Sequence, residues 1–149
     1  MDILRRNTDY AVRLMVALAR NQDGGAVSTR RLAQEQQVSY QLACKLMQQL
    51  QDARMVRSTM GPKGGFQLSR DPAEISLLDM IEVIQGPLSV NRCLLREACC
   101  PRQEICPVRA KMGELQGHMG EYLGGVTLAD LAQGAERAAR TRGVSGGKP

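Results

Sequence analysis

Four cysteines, Cys93, Cys99, Cys100 and Cys106, fall in one stretch, RCLLREACCPRQEICPVR, and a fifth, Cys44, stands apart from them. Five residues separate Cys93 from Cys99 and Cys100 from Cys106, while six separate Cys93 from Cys100 and Cys99 from Cys106. None of these is the two-residue knuckle that grips one structural zinc, whereas thiolates spread along an irregular loop can reach different irons of a larger cluster. An odd cysteine total argues against a closed disulfide framework. No apolar run of roughly 18 residues and no signal peptide at MDILRRNTDY is readable, so the expected compartment is the cytoplasm. There thiols stay reduced, and metal or redox chemistry is the better use for them. Free thiols or a zinc ion are the plainer alternatives. A thiol redox enzyme built on Cys99 and Cys100 has no Cys-x-x-Cys, Ser/His/Asp arrangement or phosphate loop behind it, so no catalytic residue is assigned.

A second kind of chemistry is written in the charge. The chain carries a net +5, and residues 1–63 hold 10 Lys/Arg against 5 Asp/Glu while residues 64–149 hold 10 of each. A one-sided cationic excess suits a phosphate-binding surface, because it releases counterions condensed on nucleic acid. A merely soluble basic face is the alternative.

These residues need elements to position them. Ala11, Leu14, Met15 and Leu18 recur at helical steps and predict a first helix from near Thr8 to before Asp23-Gly24-Gly25. Ser28 is a suitable N-cap for a short helix carrying Leu32 and Ala33, and Ser39 for a third helix with Leu42, Ala43, Leu46, Met47 and Leu50 inward. Two capped helices so closely joined form a helix-turn-helix pattern. MVRSTM and FQLS, joined by GPKGG, read as a β-hairpin, or wing. Ser76 with Asp79 opens a helix from Leu77 to Gln85 that Gly86-Pro87 closes. Val108, Met112, Leu115, Met119 and Leu123 line one side of a long helix that needs a partner surface. Thr127 with Asp130 caps a last helix from Leu128 to about Ala139, ahead of a polar, Gly-rich tail.

On a recognition helix of this kind Ser39, Tyr40, Gln41, Cys44, Lys45 and Gln48 lie off the apolar stripe and face DNA. Gln41 is the best base reader, since its amide donates and accepts together as adenine's major-groove edge requires. Thr29, Arg30, Arg31 and Lys45 suit phosphate contacts, with Lys63 and Gly64 of the wing beside them. A helix pair in an unrelated bundle, with a solvated polar face, is the competing reading.

NTDYAVRLM, VSTRRLAQEQQVSYQLACKLMQQLQDARMV, GPKGGFQLSRDPAEISLLDMIEVIQGP and VTLADL together resemble the Rrf-type family of bacterial winged-helix regulators, the IscR/NsrR group, over residues 1 to about 133. The resemblance implies a mainly α fold with a small β-hairpin: a winged helix-turn-helix domain (1–86), a cysteine-bearing cluster loop (87–107), a dimerisation helix and terminal helix (108–140) and a disordered tail (141–149). It implies a homodimer on a palindromic double-stranded operator, with the long helix pairing across the dimer and the wing reaching toward the minor groove. Met60 departs from the Arg commonly found there, which weakens the wing's contact or passes it to Lys63.

The resemblance also implies an iron-sulfur cluster, two-iron or four-iron, held by three cysteines of the loop. The runs Cys100-Pro101 and Cys106-Pro107 match the family's second and third ligands, which favours Cys93, Cys100 and Cys106 and leaves Cys99 as the alternative. Members resembling IscR take a His three residues after the last Cys, where this chain has Arg109; the only histidine, His118, reads as a surface or dimer-helix residue. Members resembling NsrR take a carboxylate of the partner subunit near the start of the first helix, and Asp9 stands at that position. The function implied is a transcriptional regulator, by analogy a repressor, responding to nitric oxide, oxygen, redox or iron-sulfur status. A cluster-free regulator of the same family, controlled by a protein partner or by thiol oxidation, is the alternative.

Overall fold

The apolar stripe Ala11, Leu14, Met15 and Leu18 is the buried face of α1 (Arg6–Arg20) in the computed structural model, which describes residues 3–95 and 100–144, with side chains up to residue 138. α1 starts two residues earlier than Thr8, and the chain leaves it through a 3-10 turn, Gln22–Gly24. Next come α2 (Thr29–Gln36) and α3 (Tyr40–Asp52). Ser28 accepts from the Arg31 N–H at 3.2 Å and Ser39 from the Leu42 N–H at 3.3 Å, so both predicted N-caps are made. The tight turn between them runs through Gln37, left-handed at φ 55°, with Val38 turned into the core. Leu32, Ala43, Leu46, Met47 and Leu50 close over α1 to form the centre of the core.

The wing is β1 (Val56–Thr59) paired antiparallel with β2 (Gly65–Leu68), Val56 opposite Leu68 and Thr59 opposite Gly65. It does not hang free. Val27 and Phe66 exchange two backbone hydrogen bonds of 2.8 Å, tying the hairpin to the entry of α2. Gly65 permits this approach: at φ +153°, a Cβ there would stand 2.2 Å from the Val27 carbonyl oxygen.

α4 (Leu77–Gln85) carries the predicted capping box, with the Asp79 N–H donating to Ser76 Oγ and the Ser76 N–H to the Asp79 carboxylate, both at 3.0 Å. It ends at Gly86, φ +83°. Inside the cysteine stretch lies a one-turn helix without a sequence signal, α5 (Arg92–Leu95), followed by α6 (Pro107–Gly125). None of the 19 residues of α6 is buried, and Leu115 and Tyr122 are 45% and 72% exposed.

α7 (Leu128–Val144) then returns to the first part of the chain. Leu77 donates to the Val126 carbonyl and Leu128 to that of Ile75, each at 2.8 Å, and Leu128 is fully buried in the core beside α1. The terminal helix thus packs against α1 and the 3-10 turn Pro72–Glu74. It also continues to Val144, past Ala139 and into the expected tail, because the run ERAARTR is rich in strong helix formers. The rest of that tail, residues 145–149, lies outside the described residues.

Candidate functional site

Ser39, Tyr40, Gln41, Lys45 and Gln48 are all exposed, and Gln41, Lys45 and Gln48 follow the i, i+4, i+7 rhythm of one helix face. The inward residues of α3 leave this face no alternative but solvent or a ligand. Among the described residues Gln41 and Lys45 make no side-chain hydrogen bond, whereas Gln48 Nε2 donates to Asp52 Oδ1 at 2.9 Å. Ser39 spends its hydroxyl on capping.

Arg30, one residue into α2, lies with its guanidinium 5.4 Å from the centroid of the Tyr40 ring, so the first turns of the two helices meet in a cation–π contact. The Cys44 thiol, one turn on from Tyr40, pushes the phenol hydroxyl above its ordinary range against a smaller opposing pull from Arg30. Cys44 is thereby engaged with its neighbour on the helix, away from the cysteine loop. Thr29 is half-buried, and Arg31 is paired with Glu35 at 2.6 Å, which leaves Arg30 the less encumbered cation of α2. On the wing Lys63 is exposed and Gly64 half-buried; a Cβ at Gly64 would stand 2.3 Å from the Thr59 carbonyl oxygen. Met60 at its tip is 95% exposed. Arg57, which sequence spacing did not single out, is exposed on β1 with Ser58 and Thr59, beyond buried Val56.

The cysteines are spread over the other end of the chain's path. Cys93 sits on α5 and Cys106 is the N-cap of α6, its Sγ accepting from the Arg109 N–H at 3.5 Å. Cys100 is exposed, and Cys99 lies outside the described residues. Among the described residues no three His, Cys, Asp or Glu side chains gather where one metal ion would bind. Asp9 is exposed in the first turn of α1, 3.8 Å from Arg13, where the helix dipole also favours a carboxylate. His118 faces an apolar cavity of about 340 Å³ with Ile3, Met119, Tyr122 and Leu123, apart from the thiols.

The chemistry of the donor set fits an iron-sulfur cluster: soft thiolates on a short loop, with an N-terminal helix dipole behind one of them. Two buried polar atoms beside the thiols, Arg109 Nη1 and Gln103 Oε1, find no hydrogen-bond partner among the described residues. A guanidinium N–H left free at this place suits an anionic group held by the loop.

A family model described as Rrf2, iron-dependent transcriptional regulator, matches residues 4–134. Protein rrf2 of Nitratidesulfovibrio vulgaris is 30% identical over 132 residues, covering 89% of this chain and 88% of that protein. The HTH-type transcriptional regulator IscR of Sodalis glossinidius is 28% identical over 127 residues, covering 85% and 76%. Among solved structures, IscR of T. potens superposes with a TM-score of 0.74 at 27% identity, over 91% of this chain and 89% of that one. CymR, the global cysteine regulator of B. subtilis, gives 0.75 at 26% identity, over 89% and 98%.

Proposed function

The chain belongs to the Rrf2 family and is a transcriptional regulator rather than an enzyme, and from that premise we propose that an iron-sulfur cluster on its cysteine loop controls its affinity for DNA. Cys93, Cys100 and Cys106 hold the cluster, Cys99 is the alternative to its neighbour, and Asp9 of the partner subunit supplies the fourth donor. When bound, the group supplies a centre open to attack by nitric oxide or oxygen. Arg109, which cannot ligate, leaves the fourth place to a weaker oxygen donor.

One observation carries the reading: the thiols stand on the connection between Gly86, where the DNA-reading unit's α4 ends, and α6, a long helix none of whose 19 residues is buried. A homodimer paired through α6 presents two α3 helices to the two halves of a palindromic operator, and half-site spacing tolerates little error. Loosening Cys93 and Cys106 frees the loop at both ends and alters how the two readers are held, and release of a repressed operator follows. Gln41 reads a base edge, while Arg30, Lys45, Lys63 and Arg57 neutralise phosphates.

The test is operator affinity of cluster-loaded and cluster-free protein at fixed salt, alongside the visible spectrum and the iron and sulfide content of protein purified without oxygen. Equal affinities sink the switch; colourless, iron-free protein sinks the cluster. Cys93→Ala and Asp9→Ala are expected to lower the iron content. The scatter of the described thiols favours one second reading, a cluster-free regulator controlled by thiol oxidation or a protein partner. Its mark is an operator affinity that changes with oxidant in iron-free protein.

A further inference from the structure

The start of α1 is held in an unusual way. α2, α3, α4, α6 and α7 each have a side chain at their own N-terminus that accepts from a first-turn N–H. At α1 the N-cap position is Arg5, which makes no such bond. The Arg5 carbonyl accepts from the Thr8 and Asp9 N–H groups at 2.9 and 3.1 Å, and the partner for the Arg5 N–H itself comes from α4. Gln85 Oε1 accepts from the Arg5 backbone N–H at 3.0 Å and from Thr8 Oγ1 at 2.7 Å, and Gln85 Nε2 donates to the Ile3 carbonyl at 3.0 Å.

In a capping box the residue at N3 reaches back to the N-cap N–H. Here N3 is Thr8, and the acceptor that Arg5 needs is delivered from some 80 residues away in sequence. Thr8 is fully buried, the one polar side chain so placed among the described residues, so its hydroxyl has no water to turn to. Gln85 is also the last residue of α4, followed at once by Gly86 at φ +83° and the connection to the cysteines. One amide therefore closes the N-terminus of a core helix and fixes the point from which the cysteine loop departs.

We propose that Gln85 is a positioning residue that couples the cysteine loop to the DNA-reading unit, by capping α1 from the end of α4. A shift of the loop that draws Gly86 away uncaps α1, and the first turn, which carries Asp9, frays. Conversely, disorder at Thr8 loosens the loop's departure point. The cluster-dependent part of this coupling rests on the function proposed above; the mechanical part does not.

The experiment measures amide hydrogen exchange in the full-length protein for Gln85→Leu, Gln85→Glu and Thr8→Val. Gln85→Leu loses all three bonds, and the amides of the first turn of α1 are expected to exchange about tenfold faster. Gln85→Glu keeps both acceptor bonds and loses only the donor to Ile3, so its change is the smaller; it stays folded if the leucine variant does not. Thr8→Val breaks the link from the α1 side and is expected to speed exchange at the Gly86 amide, which donates to the Glu82 carbonyl at 3.0 Å. No change at Gly86 in Thr8→Val, or equal effects of Glu and Leu at Gln85, overturns the coupling whether or not a cluster binds.

The second arm is the ratio of operator affinities of cluster-loaded and cluster-free protein, which Gln85→Leu is expected to bring toward one. A merely structural loss lowers both affinities and leaves the ratio intact, and that result overturns the role in signalling. A wild-type ratio of one overturns the cluster switch instead, and the exchange arm then decides on Gln85 alone.

Discussion

Replacing Gln41 by Ala is expected to separate base reading from phosphate binding on α3. Gln41 is exposed and free of intramolecular hydrogen bonds among the described residues, so its amide faces solvent with no bond to give up on meeting a base. A bidentate glutamine-adenine pair discriminates by about 1–3 kcal/mol, roughly 5- to 150-fold, in each half-site. Gln48 starts from a worse position: reading a base means releasing Asp52, an exchange worth about 0.5–1.5 kcal/mol, with a carboxylate then facing the phosphates. Gln41→Ala is therefore expected to lower operator affinity by about 1–3 kcal/mol for each half-site occupied and to relax preference at one position per half-site, leaving affinity for scrambled duplex unchanged. Gln48→Ala is expected to cost less. Lys45→Ala should weaken both duplexes alike and flatten the salt dependence by about 0.9 for each phosphate that it no longer neutralises. Fluorescence anisotropy titrations against operator and scrambled duplex at several salt concentrations measure all three. If Gln41→Ala weakens the two duplexes equally, or Gln48→Ala costs more than Gln41→Ala, the assignment of the base-reading residue on α3 is wrong.

Charging the exposed face of α6 with Tyr122→Glu is expected to convert a dimer to monomer in sedimentation and to lower operator affinity, since two half-sites are then no longer bound together; an unchanged dimer removes α6 from the interface. Ser76→Ala breaks the capping box of α4 and should cost about 1 kcal/mol, seen as a fall in Tm of about 2–4 °C. Asp130 accepts from the Thr127 backbone N–H and hydroxyl, which hold its carboxyl below the usual range. A depressed folded pKa gives stability that is present above the unfolded carboxylate value and lost as pH falls through the folded one. Urea midpoints of the wild type are thus expected to drop on acidification by more than those of Asp130→Asn; parallel pH profiles would remove this contribution.

The reader was legible because its determinants are local. Ser28, Ser39 and Ser76 announce three helix starts by side chains that bond within three residues, and the stripes of α1 and α3 declare their buried faces before any partner is known. Gly64 and Gly65 likewise mark the turn of the wing. What sequence spacing did not reveal depends on contacts across the chain. Gln85 has no local pattern that distinguishes it, since its three partners sit at the far end of the sequence. The place of α7 is set by Leu128 entering a core whose other members precede Gly86, except for that one residue. The thiols show the same limit: intervals of five and six residues name possible donors, but the turn of α5 and the cap made by Cys106 determine where they stand.

The hydrogen bonds that join Val126 and Leu128 to the strand-like entry of α4 make α5 and α6 an excursion that leaves the core at Gly86 and re-enters it at Leu128. The cysteine-bearing segment is thus an insertion between parts of one core, and that core is discontinuous in sequence. A fragment ending at residue 86 would lack Leu128 and expose the α1 surface that α7 covers, so it is not an independently stable DNA-binding module. The excursion is anchored at both ends, at Gly86 and at Leu128 in the core, so a change in its length or internal arrangement reaches the rest of the chain through those two places.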